Sequence, residues 1–210
     1  MQQTAREMIQ EIKGRRDISI EQLEYLLTTE NKDCLKMLRE EAVQTAQKIY
    51  GNRVFIRGLI EFTNYCKNDC YYCGIRRSNH CADRYRLTKE EILSCTDTGY
   101  ELGFRTFVLQ GGEDPYFTDA RICELVSEIR QKHPDCAITL SIGEKSKESY
   151  QRYFDAGADR YLLRHETANA CHYRKLHPSE LTLERRKQCL WDLKEIGYQV
   201  GCGFMVGSPG

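Results

Sequence analysis

The stretch Ile60-Glu61-Phe62-Thr63-Asn64-Tyr65-Cys66-Lys67-Asn68-Asp69-Cys70-Tyr71-Tyr72-Cys73 changes character part-way along. Its first residues close an apolar run, Phe55–Phe62, that reads as a β-strand. The remainder is a polar loop with three cysteines spaced Cys-x3-Cys-x2-Cys. In parallel α/β folds, functional loops lie at the C-terminal ends of strands. A strand that runs directly into a cysteine-rich loop is therefore the start of an α/β reading.

Working outward, the same alternation recurs. Apolar runs at Thr106–Leu109, Ala137–Ile142, Arg160–Leu163 and Gln199–Val206 are each followed by a polar or glycine-bearing turn. Helix signals fill the gaps. Thr88-Lys89-Glu90-Glu91 is a capping box, Ile122, Leu125, Val126 and Ile129 have helical spacing, and Leu190, Leu193 and Ile196 precede a stop at Gly197. Five strands alternating with helices imply a parallel sheet. An open doubly wound sheet and a (β/α) TIM-type barrel both satisfy that pattern. A full eight-stranded barrel takes about 250 residues, so a barrel here reads as truncated after about five strands. The end at Gly207-Ser208-Pro209-Gly210, a loop directly after a strand, agrees with that expectation.

Residues 1–50 read as a separate helical lead-in to a barrel domain spanning 51–210. Ser19-Ile20-Glu21-Gln22 fits a capping box ahead of Leu23, Leu26 and Leu27. A further helix runs through Cys34-Leu35-Lys36-Met37-Leu38 to Ile49-Tyr50 and stops at Gly51-Asn52.

The bulk numbers narrow the class. The chain has 210 residues, with 31 basic and 31 acidic side chains, so its formal charge is zero. That balance argues against nucleic acid as a partner. No apolar run is long enough to cross a membrane, and the polar start is not a secretory signal. Eleven cysteines, an odd number without a signal, point to a reducing cytoplasm rather than a disulfide framework. Cys34, Cys95, Cys123, Cys136, Cys171, Cys189 and Cys202 are isolated, and are expected to pack as small hydrophobes.

Three thiolates in one tight loop suit an iron–sulfur cluster. With Cys66, Cys70 and Cys73 on three corners of a four-iron cluster, the fourth iron stays open for another ligand. Zinc is the competing metal, with His80 or Cys81 as fourth ligand, but the second Cys-x2–4-Cys half usual for zinc is missing. A non-catalytic iron–sulfur or zinc protein is the reading from another class.

The residues after the other strands face the same way. Gln110-Gly111-Gly112-Glu113 offers bare backbone for close approach, then a carboxylate that accepts from an ammonium. Ser141-Ile142-Gly143-Glu144, Arg164-His165-Glu166 and Met205-Val206-Gly207 close the third, fourth and fifth strands. Alternation puts Arg160, Leu162, Arg164 and Glu166 on one face. Tyr72 can lie along a purine or simply pack over its loop.

These residues resemble the radical S-adenosylmethionine (SAM) superfamily. Ile60–Cys66 followed by Tyr72-Cys73-Gly74-Ile75-Arg76-Arg77 is similar to the branch holding biotin synthase, methylornithine synthase and the FeFe-hydrogenase maturase HydE family. Val108–Tyr116, Thr139–Glu144 and Asp159–Asn169 look most like the HydE family. The likeness covers about residues 50–210.

The resemblance implies an enzyme with a (β/α)8 barrel that binds a 4Fe-4S cluster and SAM at its mouth. It implies reductive cleavage of SAM to a 5′-deoxyadenosyl radical and a role in assembling the diiron subsite of the FeFe-hydrogenase H-cluster. The implied substrate is small, iron-containing or amino-acid-like. A low-potential electron donor and other hydrogenase maturation proteins are the implied partners. Carried over by position, Cys66, Cys70 and Cys73 match the cluster ligands and Glu113 the acceptor for the SAM amino group. Ser141 and Glu166 match positions near the ribose and methionyl parts. An Arg on the helix after strand four pairs with the SAM carboxylate, and Arg186 is the choice over its neighbour Arg185. Thr139, Arg164 and Met205 line the substrate cavity. Methylornithine synthase and biotin synthase remain the nearest alternatives.

Overall fold

The computed structural model describes residues 5–15 and 17–208. Residues 1–4 and 16 of the expected helical lead-in, and Pro209 and Gly210 of the expected terminal loop, lie outside the described residues. The chain divides into two compact units, Met1–Phe55 and Ile56–Gly210.

In the first unit, helices α1 (Ala5–Arg15), α2 (Ile20–Thr28) and α3 (Lys32–Tyr50) follow one another. Both partners of the Ser19 capping box are made: Ser19 Oγ accepts from Gln22 N–H, and Gln22 accepts from Ser19 N–H. Asn31 caps α3, and Gly51, at φ +64°, ends it. Gln10 and Lys13 of α1 both reach Glu41 of α3.

The second unit holds β1 (Gly58–Thr63), α4 (Lys89–Glu101), β2 (Thr106–Gly111), α5 (Asp119–Lys132), β3 (Ala137–Ser141), α6 (Lys147–Asp155), β4 (Arg160–Leu162), α7 (Ala170–Leu176), α8 (Leu183–Ile196) and β5 (Gln199–Gly201). Thr88 and Glu91 form the reciprocal cap of α4. Gly197 takes the left-handed conformation that ends α8. Two strands are shorter than the apolar runs imply. Val54, Phe55 and Ile56 stay exposed, because the ladder with β2 begins only at Gly58 opposite Phe107. After Gly201 the chain leaves the sheet through Cys202 and Gly203, keeping a single bridge between Glu166 and Phe204. Glycine has no side chain to pack against neighbouring strands, so this segment holds its ladder poorly.

All four strand pairs are parallel, in the order β1-β2-β3-β4-β5. That order separates the two folds left open by the sequence. A doubly wound sheet reverses its strand order and carries helices on both faces. Here there is no reversal, and one core lies on one face. Phe62, Phe107, Leu109, Ile138, Leu140 and Tyr161 pack there with Ile92, Ile122, Val126, Ile129, Tyr150, Tyr153 and Leu193 of the helices. Each fully buried side chain of this size contributes about 2 kcal/mol. The alternate residues, Glu61, Gln110, Thr139, Ser141 and Arg160 together with Leu59, Val108 and Leu162, point to the other face, which is mixed in polarity. Consecutive parallel strands with one helix-covered face and one mixed face make an α/β sheet of the TIM-barrel type, with the mixed face inward.

No helix among the described residues is long and apolar enough to cross a membrane. All eleven cysteines are free thiols. Of the isolated ones, Cys34, Cys136 and Cys189 are buried and Cys123 is partly so, whereas Cys95, Cys171 and Cys202 are exposed. Packing therefore accounts for only part of that set.

Candidate active site

The loop between β1 and α4, residues 64–88, carries the three thiols and is tied at several points. Cys73 N–H donates to the Cys70 carbonyl (3.0 Å), and Arg76 N–H to that of Cys73 (3.2 Å). Lys67 N–H donates to the Glu113 carbonyl (3.0 Å), and Tyr71 N–H to Leu176 at the end of α7 (2.9 Å). Glu113 N–H in turn points at Cys66 Sγ (3.4 Å). The loop is therefore fastened to the tip of β2 on one side and to α7 on the other.

The glycines after β2 make that approach possible. A Cβ on Gly112 would lie 2.2 Å from the Tyr65 carbonyl oxygen and 2.7 Å from Cys66 Cβ. Glu113, only 6% exposed, then turns inward. Its carboxylate accepts from Glu144 N–H (2.9 Å) and pairs with Lys67 Nζ (3.1 Å). Gly143, at φ +78°, lies against this side chain and leaves no room for a Cβ.

Glu166 lies across the cavity. It is the one described non-glycine residue with positive φ, at 63°. Such a backbone costs about 1–3 kcal/mol and persists only where its surroundings hold it. Here Glu166 N–H donates to the Gly203 carbonyl (3.0 Å), and Met205 N–H donates to Glu166 O (2.9 Å). The side chain is buried, 3.4 Å from Tyr72 Oη and 3.7 Å from Arg164 Nε. Tyr72 Oη also faces His177 Nε2 (3.4 Å), and His177 stacks on Tyr173 with ring centroids 3.9 Å apart. Burial lowers the pKa of His177, so its imidazole is neutral around pH 7.

Arg186 of α8 is 8% exposed, with Nε 2.8 Å from Glu144 Oε1. The pair is in ionic contact, yet neither atom has a partner aligned as a hydrogen bond. Burial works against the guanidinium charge, but Glu144, Tyr173 and Glu113 outweigh it and hold Arg186 firmly cationic. Burial also lifts the Glu144 carboxyl above its usual range, against the pull of Arg186. A buried, charged donor with an unaligned N–H is suited to an incoming carboxylate.

One cavity at the C-terminal ends of the strands is lined by Cys66, Cys70, Tyr72, Cys73, Gln110, Gly111, Gly112, Glu113, Ser141, Arg164, Glu166 and Arg186. Thr139 and Met205 do not line it. Thr139 pairs with Arg160 deeper in the sheet, and Met205 touches the site through the backbone of Glu166. Arg185 is exposed and donates to the Lys145 carbonyl (2.8 Å). His80 and Cys81 are exposed and also outside the lining. Sequence reasoning missed Lys67, His177 and the Arg84 and Arg86 contacts. Lys67, His177 and Arg86 meet residues far along the chain, while Arg84 binds backbone carbonyls, and no local pattern announces either kind of contact.

Asp114 shows what anchors this end of the sheet. Its buried carboxylate accepts from Arg86 Nε (2.6 Å) and Nη2 (2.9 Å), Thr63 Oγ1 (2.8 Å) and Tyr116 N–H (3.0 Å). Burial alone would raise its pKa, but these donors hold it below the ordinary 3.8. The stability from a depressed carboxylate is present above the unfolded pKa and lost as pH falls through the folded one. Asp114→Asn is therefore expected to cost about 2 kcal/mol at pH 7. In denaturant melts at several pH values, the gap from wild type should close below pH 3.8. A pH-independent gap would show that charge is not what Asp114 contributes.

Residues 60–210 match the radical SAM superfamily. The chain belongs to that superfamily. Members of the radical SAM superfamily use a 4Fe-4S cluster and SAM. The chain is 44% identical, over 99% of its length, to the [FeFe] hydrogenase maturase subunit HydE of Thermotoga maritima, of which it covers 58%. It superimposes on the crystal structure of methylornithine synthase with a TM-score of 0.85 and 31% identity, over 95% of this chain and 59% of that one. On the [FeFe]-hydrogenase maturase HydG the TM-score is 0.86 at 28% identity, over 97% of this chain and 46% of that one. The chain thus spans about half to three-fifths of the length of these relatives.

Three thiols of one loop on the wall of one cavity are a donor set that suits the cluster of this radical SAM superfamily. Burial raises the Cys66 pKa. Burial, then the charges of Cys66 and Cys73, push the Cys70 thiol up to about 11. Such thiols keep their protons at neutral pH until a strongly cationic group displaces them. Among the described residues, no three His, Cys, Asp or Glu side chains close on a single metal ion.

Proposed function

We propose that this chain carries the SAM-cleaving site of a HydE-type maturase acting in assembly of the FeFe-hydrogenase diiron subsite. In this reading residues 51–210 supply the barrel portion and residues 1–50 a helical lead-in. The convergence of three thiols, a Gly-Gly-Glu strand tip, Glu166 and Arg186 on one cavity supports it. The 44% identity to a HydE maturase gives the direction.

Cys66, Cys70 and Cys73 would hold the cluster, which with SAM would supply one-electron cleavage of a carbon–sulfur bond. Glu113 receives the SAM ammonium once Lys67 gives way, and Arg186 takes the carboxylate. Gly111 and Gly112 keep the backbone low beneath these groups. Ser141 and Glu166 orient the ribose and methionyl parts, and Tyr72 and Gln110 bound the nucleoside. Arg164, on the wall of the same cavity, faces a small iron-containing or amino-acid-like substrate. A low-potential donor supplies the electron, and other hydrogenase maturation proteins are the downstream partners.

A second reading, methylornithine synthase, has the superposition at 31% identity in its favour. Two measurements test the assignment. Protein reconstituted anaerobically should bind about four irons per chain and release 5′-deoxyadenosine from SAM with dithionite. It should also restore hydrogenase activity in a host lacking its own HydE-type maturase. Stoichiometric zinc without iron would overturn the cluster, and methylornithine formation would favour the second reading.

A further inference from the structure

The three thiols sit in a connection, residues 64–88, with no helix or strand of its own. Connections longer than about 12–15 residues are uncommon in packed domains unless something holds them. The structure shows what holds this one. Arg84 Nη1 donates to the carbonyls of Asn64 and Ile75 (the latter at 3.0 Å), and Nη2 donates to those of Arg76 (2.8 Å) and Asn79 (3.0 Å). All four terminal N–H groups of the guanidinium are thus used, and every acceptor is backbone. One acceptor lies just before Cys66, and three lie just after Cys73.

Arg84 is itself aimed. Asn64 Nδ2 donates to the Asp83 carbonyl (2.6 Å), and Asn64 Oδ1 accepts from Tyr85 N–H (2.8 Å). The backbone on both sides of Arg84 is therefore fixed by the residue whose carbonyl Arg84 binds. The result is a closed lock between the last residue before the loop's turn and the segment that follows its third thiol.

We propose that Arg84 is the positioning residue of the cysteine loop, holding Cys66 and Cys73 at a fixed separation before any cluster arrives. For the cluster this rests on the reading above; for the loop it rests on the hydrogen bonds alone. The planar fork is essential. A lysine ammonium has three donors on one point and cannot span carbonyls on both sides of the loop.

The test compares wild type, Arg84→Ala and Arg84→Lys. Lys67, Arg76 and Arg77 lie inside the loop, so tryptic nicking of the metal-free protein reports its order directly. Nicking there should rise at least about tenfold in both variants, because charge-assisted hydrogen bonds are lost in each. Far-UV circular dichroism should stay that of wild type. After reconstitution, iron should pass to a ferrous chelator at least about tenfold faster in both variants, with Lys giving no rescue. Wild-type nicking and iron retention in Arg84→Lys would overturn the fork. The same result in Arg84→Ala would overturn the positioning role altogether. If wild type takes up no iron while both variants are nicked faster, the cluster reading falls and the loop role stands.

Discussion

Replacing Cys70 by Ala is expected to abolish release of 5′-deoxyadenosine, by at least about a thousandfold, because the group that carries the chemistry loses a ligand. Cys70 is the middle thiol of the three, and Cys73 N–H is turned back onto its carbonyl. Its thiol is half-buried and raised to about 11 by burial and by its two neighbours. Two thiols cannot anchor three corners, so iron content should fall with activity. The substitution removes only a sulfur from a side chain outside the apolar core. The metal-free protein should therefore melt within about 0.5 kcal/mol of wild type. Product chromatography, iron analysis and denaturant melts separate the two effects. Undiminished SAM cleavage in the variant would remove Cys70 from the ligand set.

Gly112→Ala should have the largest effect on the protein itself, about 3 kcal/mol of lost stability with loss of iron binding. The added Cβ meets the Tyr65 carbonyl oxygen at 2.2 Å, its carbon at 2.9 Å and Cys66 Cβ at 2.7 Å. Two of these atoms are backbone and cannot swing aside. Relief requires the β2 tip to withdraw from the cysteine loop. That motion breaks the Lys67-to-Glu113 backbone bond and moves Glu113 away from Lys67 and Gly143. Gly74, which has open space around it, is the control: Gly74→Ala should change neither iron content nor melting. Equal behaviour of the two alanine variants would show that the close approach at Gly112 is dispensable.

Much of the site was legible because its signals are local. The three cysteines lie within one loop, and Gly112 and Glu113 adjoin each other. Chain connectivity alone carries each to the end of a strand. β4 ends at Leu162, so alternation does not govern Arg164 and Glu166, although the two side chains approach within 3.7 Å. The same logic had no purchase on Glu166's left-handed backbone, which is imposed by Gly203 and Met205 nearly forty residues downstream. The resemblance names Arg186 ahead of Arg185, and of these two neighbours, about 100° apart on the helix, α8 buries Arg186 and leaves Arg185 exposed. Arg84 looked like one more basic residue on a polar surface, because its role lies entirely in carbonyls, which carry no residue identity.

The elements and their caps were already written in the residues, from Thr88 and Glu91 at the start of α4 to Gly197 at the end of α8. The sequence also brought three thiols together in one loop. These follow from hydrogen bonds and burial patterns spanning a few residues, which a linear pattern records. Only the tertiary structure decided between a doubly wound sheet and a barrel-type one, since both give the same alternation of strands and helices. The order β1 to β5 without reversal, with Phe62, Leu109, Leu140 and Tyr161 buried on one face, is a fact about which strand lies beside which. Only the tertiary structure, too, turned three thiols in a polar loop into a site. It did so by setting Glu113, Glu166 and Arg186, from three other segments, around the same cavity and locking the loop's backbone with Arg84.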